Sequence, residues 1–424
     1  MKRLGKDVLS LLKWSVLGIA VGTIVGAVTS GFGIGIHYAT SFREGHTWII
    51  WLLPLAGLLI VFMYQKTGHG NDRGTNSVIE AIREGKKVSI VQGLLVMVST
   101  VLTHLFGGST GREGAALQLG GSIGSFAARG LGLHQSNTNI IVMAGMSAAF
   151  SALFGTPLAA VFLPMEFVSV GVMYYAALVP CIFSSFVAHA AAVWLGAQTN
   201  HLVPYAVENV PELYSWAFPK TILLGIACAL AGILFCWAIH LTHEYFPRWI
   251  PNPYVRVMAG GLAVAVLAFL LGHDYIGLGS GVIKAAFAAP AVPWAFLLKI
   301  LFTCLTLSSG FKGGEIVPSF FVGATLGSFL GGLLGLPPNI CAACGMCGVF
   351  CAVTNSPVTS LFIAFELFGF TGMGYFAIVI GTSYMLSDYV SFFSAQKILY
   401  SKTETKYINL ISEESFHPGW GKKK

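Results

Sequence analysis

Two glycine-rich breaks in the apolar sequence each carry a glutamate. The first is GGSTGREGAALQLGG (107–121), which contains Glu113, and the second is SSGFKGGEIVPSFFVG (308–323), which contains Glu315. Each break opens a predicted helix, whose free N–H groups and positive dipole end attract an anion. We expect the two helix starts to form one anion site from partial charges, which allow release as well as binding. The first-turn residues expected to face the anion are Gly114, Ala115, Ile316 and Val317.

The two glutamates add proton chemistry to this site, because charged side chains inside apolar segments are costly and usually functional. A carboxylate at a helix start can occupy the place of the anion, so Glu113 is predicted to be a gate that opens on protonation or by swinging away. Burial favours the neutral form of a carboxyl group in general. Glu315 is unfavourable beside an anion path unless it takes up a proton, so we interpret it as part of the coupling. The alternative for the first motif is a structural helix cap formed by Arg112 and Glu113.

Two other segments offer ligands for an anion. Thr75 and Asn76 lie in RGTNSVIEAI (73–82), at the start of a short amphipathic helix, and Thr75 is either the N-cap of that helix or a ligand. Tyr400 ends the last apolar segment in QKILYSK (396–402). A tyrosine at this place is usually an interfacial anchor, which the residues alone favour, although its hydroxyl could instead reach an anion.

The elements that carry these residues are predicted to be membrane helices. The chain has 424 residues, of which 55% are hydrophobic and 10% charged, and its mean hydropathy is +0.76. Soluble domains carry about 25% charged residues, so lipid must face most of this chain. The composition and the long apolar runs exclude a soluble enzyme, a disordered protein and a porin-like barrel, whose strands alternate apolar and polar residues.

The positions of lysine and arginine predict the orientation. The net charge is +7, and basic residues cluster at both ends of the chain and in the loop 66–87, whereas 196–215 contains none. By the positive-inside rule, the basic loop and both termini are cytoplasmic and 196–215 is outside, in a multi-pass protein of the cell inner or plasma membrane. This clustering explains the charge without a nucleic-acid partner.

The sequence contains an internal repeat. A shift of 200 residues aligns 145–166 with 345–366 at seven identities, where the biased composition gives roughly two. A shift of 203 residues aligns the two glycine-rich breaks. We predict two homologous membrane halves, 1–200 and 201–400, followed by a short cytoplasmic tail, 401–424, without a regulatory domain.

The eight cysteines do not predict a metal site. Four of them lie in CAACGMCGVFC (341–351), but their spacing also follows one stripe of a helix, and the segment lacks histidine and carboxylate partners. We expect them to be small helix-packing residues, and we expect neither a metal nor another cofactor.

Taken together, these motifs resemble the CLC family of chloride channels and anion/proton antiporters over nearly the whole chain. GREGA (111–115) is similar to the family's GREGP, with Ala in the place of Pro, and SSGFKGGEIVP (308–318) is similar to its SSG…GG-x-F-x-P segment, with Ile316 in the place of Phe. GMCGVFCAVTNSPVTSLFIAFE (345–366) and KILYSK (397–402) match two further segments of the family.

The resemblance implies an all-α integral membrane fold with an inverted repeat of two halves and with broken and re-entrant helices. It also implies a homodimer with one anion pathway per subunit and cytoplasmic termini. In that family the residue at the position of Glu113 is the external gate, and the hydroxyl at the position of Tyr400 binds the central anion.

Departures from the usual chloride members resemble the fluoride/proton antiporter branch. GTNSV (74–78) replaces the G-S-G-I-P helix start, and Phe167 follows Glu166 where chloride/proton antiporters carry an inner proton glutamate. Glu315 is absent from the usual chloride members. The branch implies that Glu113 and Glu315 work together in a secondary active transporter that exports fluoride in exchange for protons.

The nearest alternative is a chloride/proton antiporter or a chloride channel of the same family, because the same hydroxyl, amide and N–H donors could bind chloride. An intramembrane enzyme with two carboxylates and a purely structural scaffold are less consistent with the sequence. Both glutamates lie in helix-opening glycine loops, which suit anion binding better than hydrolysis.

Overall fold

The computed structural model of the protein describes residues 2–197 and 207–416, which form sixteen α-helices and a small sheet. The helices are α1 Lys2–Gly45, α2 Leu53–Lys66, α3 Thr75–Glu84, α4 Ile90–Leu105, α5 Glu113–Gly130, α6 Gln135–Phe154, α7 Pro157–Val168, α8 Leu178–Trp194, α9 Ala217–Trp249, α10 Pro253–Leu271, α11 Ser280–Ala288, α12 Ala295–Ser309, α13 Ile316–Leu334, α14 Pro338–Thr354, α15 Pro357–Phe368 and α16 Met373–Leu386. The strands are β1 Ser169–Val170, β2 Lys397–Tyr400 and β3 Tyr407–Ile411.

The helices differ widely in length, as the interrupted apolar runs predict. Among the described residues, seven helical stretches are long and apolar enough to cross a membrane. The helices α1 and α9 have 44 and 33 residues, whereas the apolar helices α7 and α15 have 12 residues each. A helix of 12 residues is about 18 Å long, too short for a hydrocarbon core of about 30 Å. Large apolar side chains such as Leu9, Trp194 and Phe269 are exposed, as expected of a surface that faces lipid.

Each half has a tightly packed helix pair at its centre. A Cβ added to Gly120 of α5 would collide with the carbonyl oxygen of Gly145 of α6, and a Cβ added to Gly323 of α13 would collide with that of Gly345 of α14. The shifts found in the sequence relate the two pairs to each other. Small residues therefore let these helix backbones approach closely at equivalent places in the repeat.

The two halves meet at a pair of helices that cap each other. The Glu366 carboxylate of α15 accepts hydrogen bonds from the N–H groups of Leu158 and Ala159 at the start of α7, both at 2.9 Å. The Glu166 carboxylate of α7 accepts from the N–H groups of Val358 and Thr359 at the start of α15, at 3.0 and 2.8 Å.

This reciprocal capping requires α7 and α15 to run antiparallel, because each glutamate near one helix end reaches the start of the other helix. The rings of Phe162 and Phe362 stack between them at 4.9 Å with an interplanar angle of 3°. Every one of these partners is related by the 200-residue shift. The arrangement is that of an inverted repeat, as the predicted fold class requires. The predicted boundary at residue 200 lies outside the described residues, so the division into two halves at that position stays a prediction.

The small sheet is absent from the sequence prediction. β1 pairs in parallel with β2, with Ser169 opposite Lys397, and β2 pairs antiparallel with β3, with Tyr400 opposite Tyr407. β1 directly follows α7, so the sheet attaches the end of the described chain to the first half. Strands of two to five residues carry too little periodicity to be recognised from sequence.

Candidate functional site

The two glycine-rich breaks lie back to back. The Gly111 N–H donates to the Gly314 carbonyl at 2.6 Å, and the Gly314 N–H donates to the Gly111 carbonyl at 2.8 Å, as an isolated antiparallel bridge. A Cβ added to Gly314 would lie 2.7 Å from the nitrogen of Gly114, so a larger residue does not fit there. The bridge brings the starts of α5 and α13 together, as the paired motifs predict.

Glu113 is the first residue of α5 and is 1% exposed. Its Oε2 accepts a hydrogen bond from the Arg112 N–H at 3.1 Å, and its Oε1 lies 3.5 Å from Arg112 Nε. The carboxylate is thus folded over the N-terminus of its own helix, the position that an anion would take. Arg112 is 3% exposed, and its Nε and Nη1 make no hydrogen bond among the described residues.

Glu315 is the N-cap residue of α13. Its Oε2 lies 3.9 Å from the position that a Cβ of Gly114 would occupy, so the second carboxylate faces the first turn of α5. The structure therefore brings both predicted carboxylates to one pair of helix starts, although they are 202 positions apart in the sequence.

Thr75 joins the same place from a third helix. Its Oγ1 donates to the Gly114 carbonyl at 3.1 Å, and Thr75 is 8% exposed. The N-cap of α3 is Gly74, and Thr75 is the first helical residue. The interpretation of Thr75 as an N-cap is therefore wrong, because its hydroxyl donates to another helix instead of accepting from its own first turn.

Asn76 has a different environment. Its Oδ1 accepts a hydrogen bond from the N–H of Ala395 at 3.0 Å. This bond ties the start of α3 to the segment before β2. The side-chain oxygen of Asn76 therefore has a structural partner within the chain.

Free backbone donors lie at both helix starts. The first N–H groups of a helix have no intrahelical partner, and the first intrahelical bonds here are those of Ala116 to Arg112 and of Ser319 to Glu315. Pro318 has no N–H to offer. The remaining first-turn residues are all buried: Gly114, Ala115, Ile316 and Val317.

Tyr400 belongs to the small sheet. It is 45% exposed at the end of β2, its ring contacts that of Tyr407 at 5.5 Å, and it packs against Gly171. Its neighbours are set by the strand pairing. No described contact joins Tyr400 to the two glutamates or to Thr75, so a hydroxyl ligand from this residue stays a prediction.

Two charged residues near the site were not selected from the sequence, namely Asp72 before α3 and Lys312 before α13. Each lies three positions before a predicted site residue, Thr75 or Glu315. Lys312 lies within the second glycine-rich break and Asp72 directly precedes the segment 73–82, so a comparison of the charges around these segments would have found them. The eight cysteines are all buried, and the described residues contain no group of three or more His, Cys, Asp or Glu that could hold a metal.

Comparisons with known proteins agree with this geometry. Residues 55–388 match the family described as voltage gated chloride channel. A chloride/fluoride channel protein of Pseudomonas syringae pv. tomato is 36% identical over 418 residues, which cover 96% of this chain and 92% of the relative.

Solved structures are also similar. A crystal structure of a CLC-type fluoride/proton antiporter has a TM-score of 0.87 and 34% identity, over 92% of this chain and 98% of that one. A slow cyanobacterial Cl−/H+ antiporter has a TM-score of 0.76 and 19% identity, over 88% of this chain and 94% of that one, which shows likeness of fold alone. The predicted fold class is confirmed by these similarities.

Proposed function

Because the chain belongs to the voltage-gated chloride channel (CLC) family, we propose that it is a secondary active transporter that exchanges fluoride for protons. The observation that carries the proposal is the pair of carboxylates, the buried Glu113 and the half-buried Glu315, at two helix starts joined through Gly111 and Gly314. Helix starts bind anions, and carboxylates carry protons. One site can therefore handle both ions.

In the proposed cycle, Glu113 and the anion compete for one place. While Glu113 is ionised, its carboxylate lies over the first turn of α5 and keeps the anion out. Once it takes up a proton, its negative charge is lost, its attraction to the helix start falls and it can swing away. A fluoride ion then occupies the free N–H groups of the two helix starts. When Glu113 loses its proton to the other side of the membrane, its carboxylate returns to the helix start and expels the fluoride ion.

Glu315 is proposed to couple the two movements. Two carboxylates near each other disfavour simultaneous ionisation, so the state of Glu315 responds to the approach of Glu113. Thr75 Oγ1 lies next to Gly114 and offers a compact donor once it turns from its carbonyl partner. All of these groups except the two glutamates are uncharged, so the anion is not held too tightly to leave.

Fluoride is the proposed anion for two reasons: the chain carries the second carboxylate, Glu315, and similar proteins are described as handling fluoride. One similar structure is described as a CLC-type fluoride/proton antiporter and one relative as a chloride/fluoride channel protein. An inward proton gradient would then drive fluoride export, since each charge that crosses is worth about 2.3 kcal/mol per 100 mV. The alternative is a chloride/proton antiporter or a chloride channel of the same family, which the likeness in fold to a Cl−/H+ antiporter keeps open.

We further propose a homodimer in which each subunit has its own pathway. The cluster of Glu113, Glu315 and Thr75 lies within one chain, and none of its described contacts needs a second copy. A dimer is expected to run as twice the chain mass in detergent after chemical cross-linking, with fluoride transport retained when one subunit is inactivated.

The first test is fluoride efflux from proteoliposomes, with external pH recorded and chloride efflux measured in parallel. Fast fluoride efflux with opposed proton uptake and little chloride movement supports the proposal. Chloride efflux as fast as that of fluoride would move the protein to the chloride branch. Fluoride efflux without proton uptake would exclude antiport.

A further inference from the structure

An ion pair joins the two halves just before the two functional helix starts. Asp72 Oδ2 lies 3.9 Å from Lys312 Nζ, and these residues precede Thr75 and Glu315 by three positions each. We propose that this pair is an inter-repeat strut that fixes the separation of Thr75 and Glu315 and so sets which halide the site accepts. Asp72 and Lys312 are positioning residues in this proposal, which rests on the proposed function.

The hydrogen bonds of Asp72 reach beyond its own helix. Its side chain has no exposed area. Oδ1 accepts from the Gly74 N–H at 3.1 Å and from Ser77 Oγ at 3.3 Å, as the side chain of an aspartate in a local turn would. It also accepts from Gln118 Nε2 at 2.9 Å and from Gln92 Nε2, which lie on α5 and α4. A local turn does not account for these bonds, which fix the start of α3 against α4 and α5.

Lys312 holds the second half to the same carboxylate. Its side chain is 22% exposed, and its Nζ lies 4.4 Å from the ring centroid of Tyr64 on α2. A lysine between a carboxylate and an aromatic face has little freedom to move. Lys312 belongs to the loop whose Gly314 pairs with Gly111. The loop that ends in Glu315 is therefore tied to the first half at two successive points.

Stability alone does not explain such a pair. Removing two charges from water costs about as much as their attraction returns, and an apolar replacement is often no less stable. The pair instead connects the loop before α13 with α3, α4 and α5 through the Asp72 carboxylate, and with α2 through the contact of Lys312 with Tyr64. Binding groups must be held to within about 0.5 Å for a site to discriminate between ligands. Fluoride is smaller than chloride, so a looser separation of Thr75 and Glu315 would reduce the preference for the smaller ion.

The strut is tested by the ratio of fluoride to chloride flux in proteoliposomes. Asp72→Asn and Lys312→Met are each expected to lower this ratio about tenfold, equivalent to about 1.4 kcal/mol. The double variant is expected to lower it about tenfold as well, because both changes break one unit. The matched controls Asp7→Asn and Lys284→Met remove the same charges from exposed positions of α1 and α11 and should leave the ratio unchanged.

An unchanged ratio in both single variants overturns the strut, and so does a double variant whose loss is the product of the two single losses. If removal of a charge prevents folding, Asp72→Glu keeps the charge and displaces the carboxylate by one methylene. A shifted ratio is expected there, and an unchanged one overturns the proposal. If the unmodified protein shows no proton-coupled fluoride flux, the proposed function is wrong. The strut is tested separately, by the change in the ratio of fluoride to chloride flux between the variants and the unmodified protein.

Discussion

At the scale of single residues, the proposal depends first on the Glu113 carboxylate. Glu113→Gln imitates the protonated gate and cannot release a proton, so proton movement driven by a fluoride gradient should be abolished while anion movement persists. The measurement is pH change in proteoliposomes under a fluoride gradient. Glu244→Gln is the matched control, since that carboxylate is 51% exposed on α9. Proton movement equal to that of the unmodified protein would remove Glu113 from the coupling mechanism.

The Glu315 carboxylate is expected to be required for fast fluoride transport. Glu315→Gln should lower fluoride turnover at least about tenfold, because a carboxylate inside a membrane protein is retained for a role in ion or proton movement. Initial fluoride efflux at fixed protein density measures this. Full activity in the variant would make Glu315 a structural residue and would leave the fluoride assignment without its second carboxylate.

At the scale of elements, the reciprocal caps of α7 and α15 should contribute to stability. In Glu166 and Glu366, both carboxylate oxygens accept hydrogen bonds from N–H groups at a helix start. Substitution of either residue by Gln leaves one acceptor oxygen and places an NH2 group against the other N–H donor. Hydrogen bonds to charged groups contribute about 1.5–3 kcal/mol. Glu166→Gln should be the more destabilising, because Thr359 Oγ1 donates an additional bond of 2.6 Å to Glu166. The thermal unfolding midpoint of each variant in detergent measures its loss of stability. Midpoints equal to that of the unmodified protein would contradict the capping role.

The close contact between α5 and α6 is expected to require glycine at position 120. Gly120→Ala places a methyl group against the carbonyl oxygen of Gly145, so the two helices must separate. Overpacking of this kind costs about 1–3 kcal/mol, and the unfolding midpoint should fall. Gly130→Ala is the matched control, because a Cβ at that position of the same helix would have no atom within 4 Å. A similar midpoint for both variants would show that the helices can move apart without cost.

At the scale of the whole molecule, the charge distribution predicts which side each loop faces. All eight cysteines are buried, so an introduced surface cysteine can be labelled selectively. Lys86 has a side chain that is 60% exposed in the basic loop, and Tyr214 is 88% exposed just before α9. In intact cells, an impermeant thiol reagent should label Tyr214→Cys and should label Lys86→Cys only after lysis. The reverse pattern would invert the predicted orientation.

The membrane class and the family follow from the sequence alone, and the sequence also predicts the repeat and the two glutamates of the candidate site. These are local properties, since apolar runs, glycine breaks and a charge in an apolar segment are visible without knowledge of their neighbours. Because homologous halves share the same order of helices, the repeat also predicts that Glu113 and Glu315 lie at equivalent helix starts.

Which groups meet depends on the packing of the folded chain. The bond of Thr75 to Gly114, the pair of Asp72 and Lys312, and the pairing of β2 with β1 all join segments far apart in the chain. Such contacts depend on how the halves dock and on side-chain direction, neither of which leaves a periodic signal in the sequence. Short strands and single hydrogen bonds are therefore settled by packing, whereas the class of the protein is settled by composition and pattern.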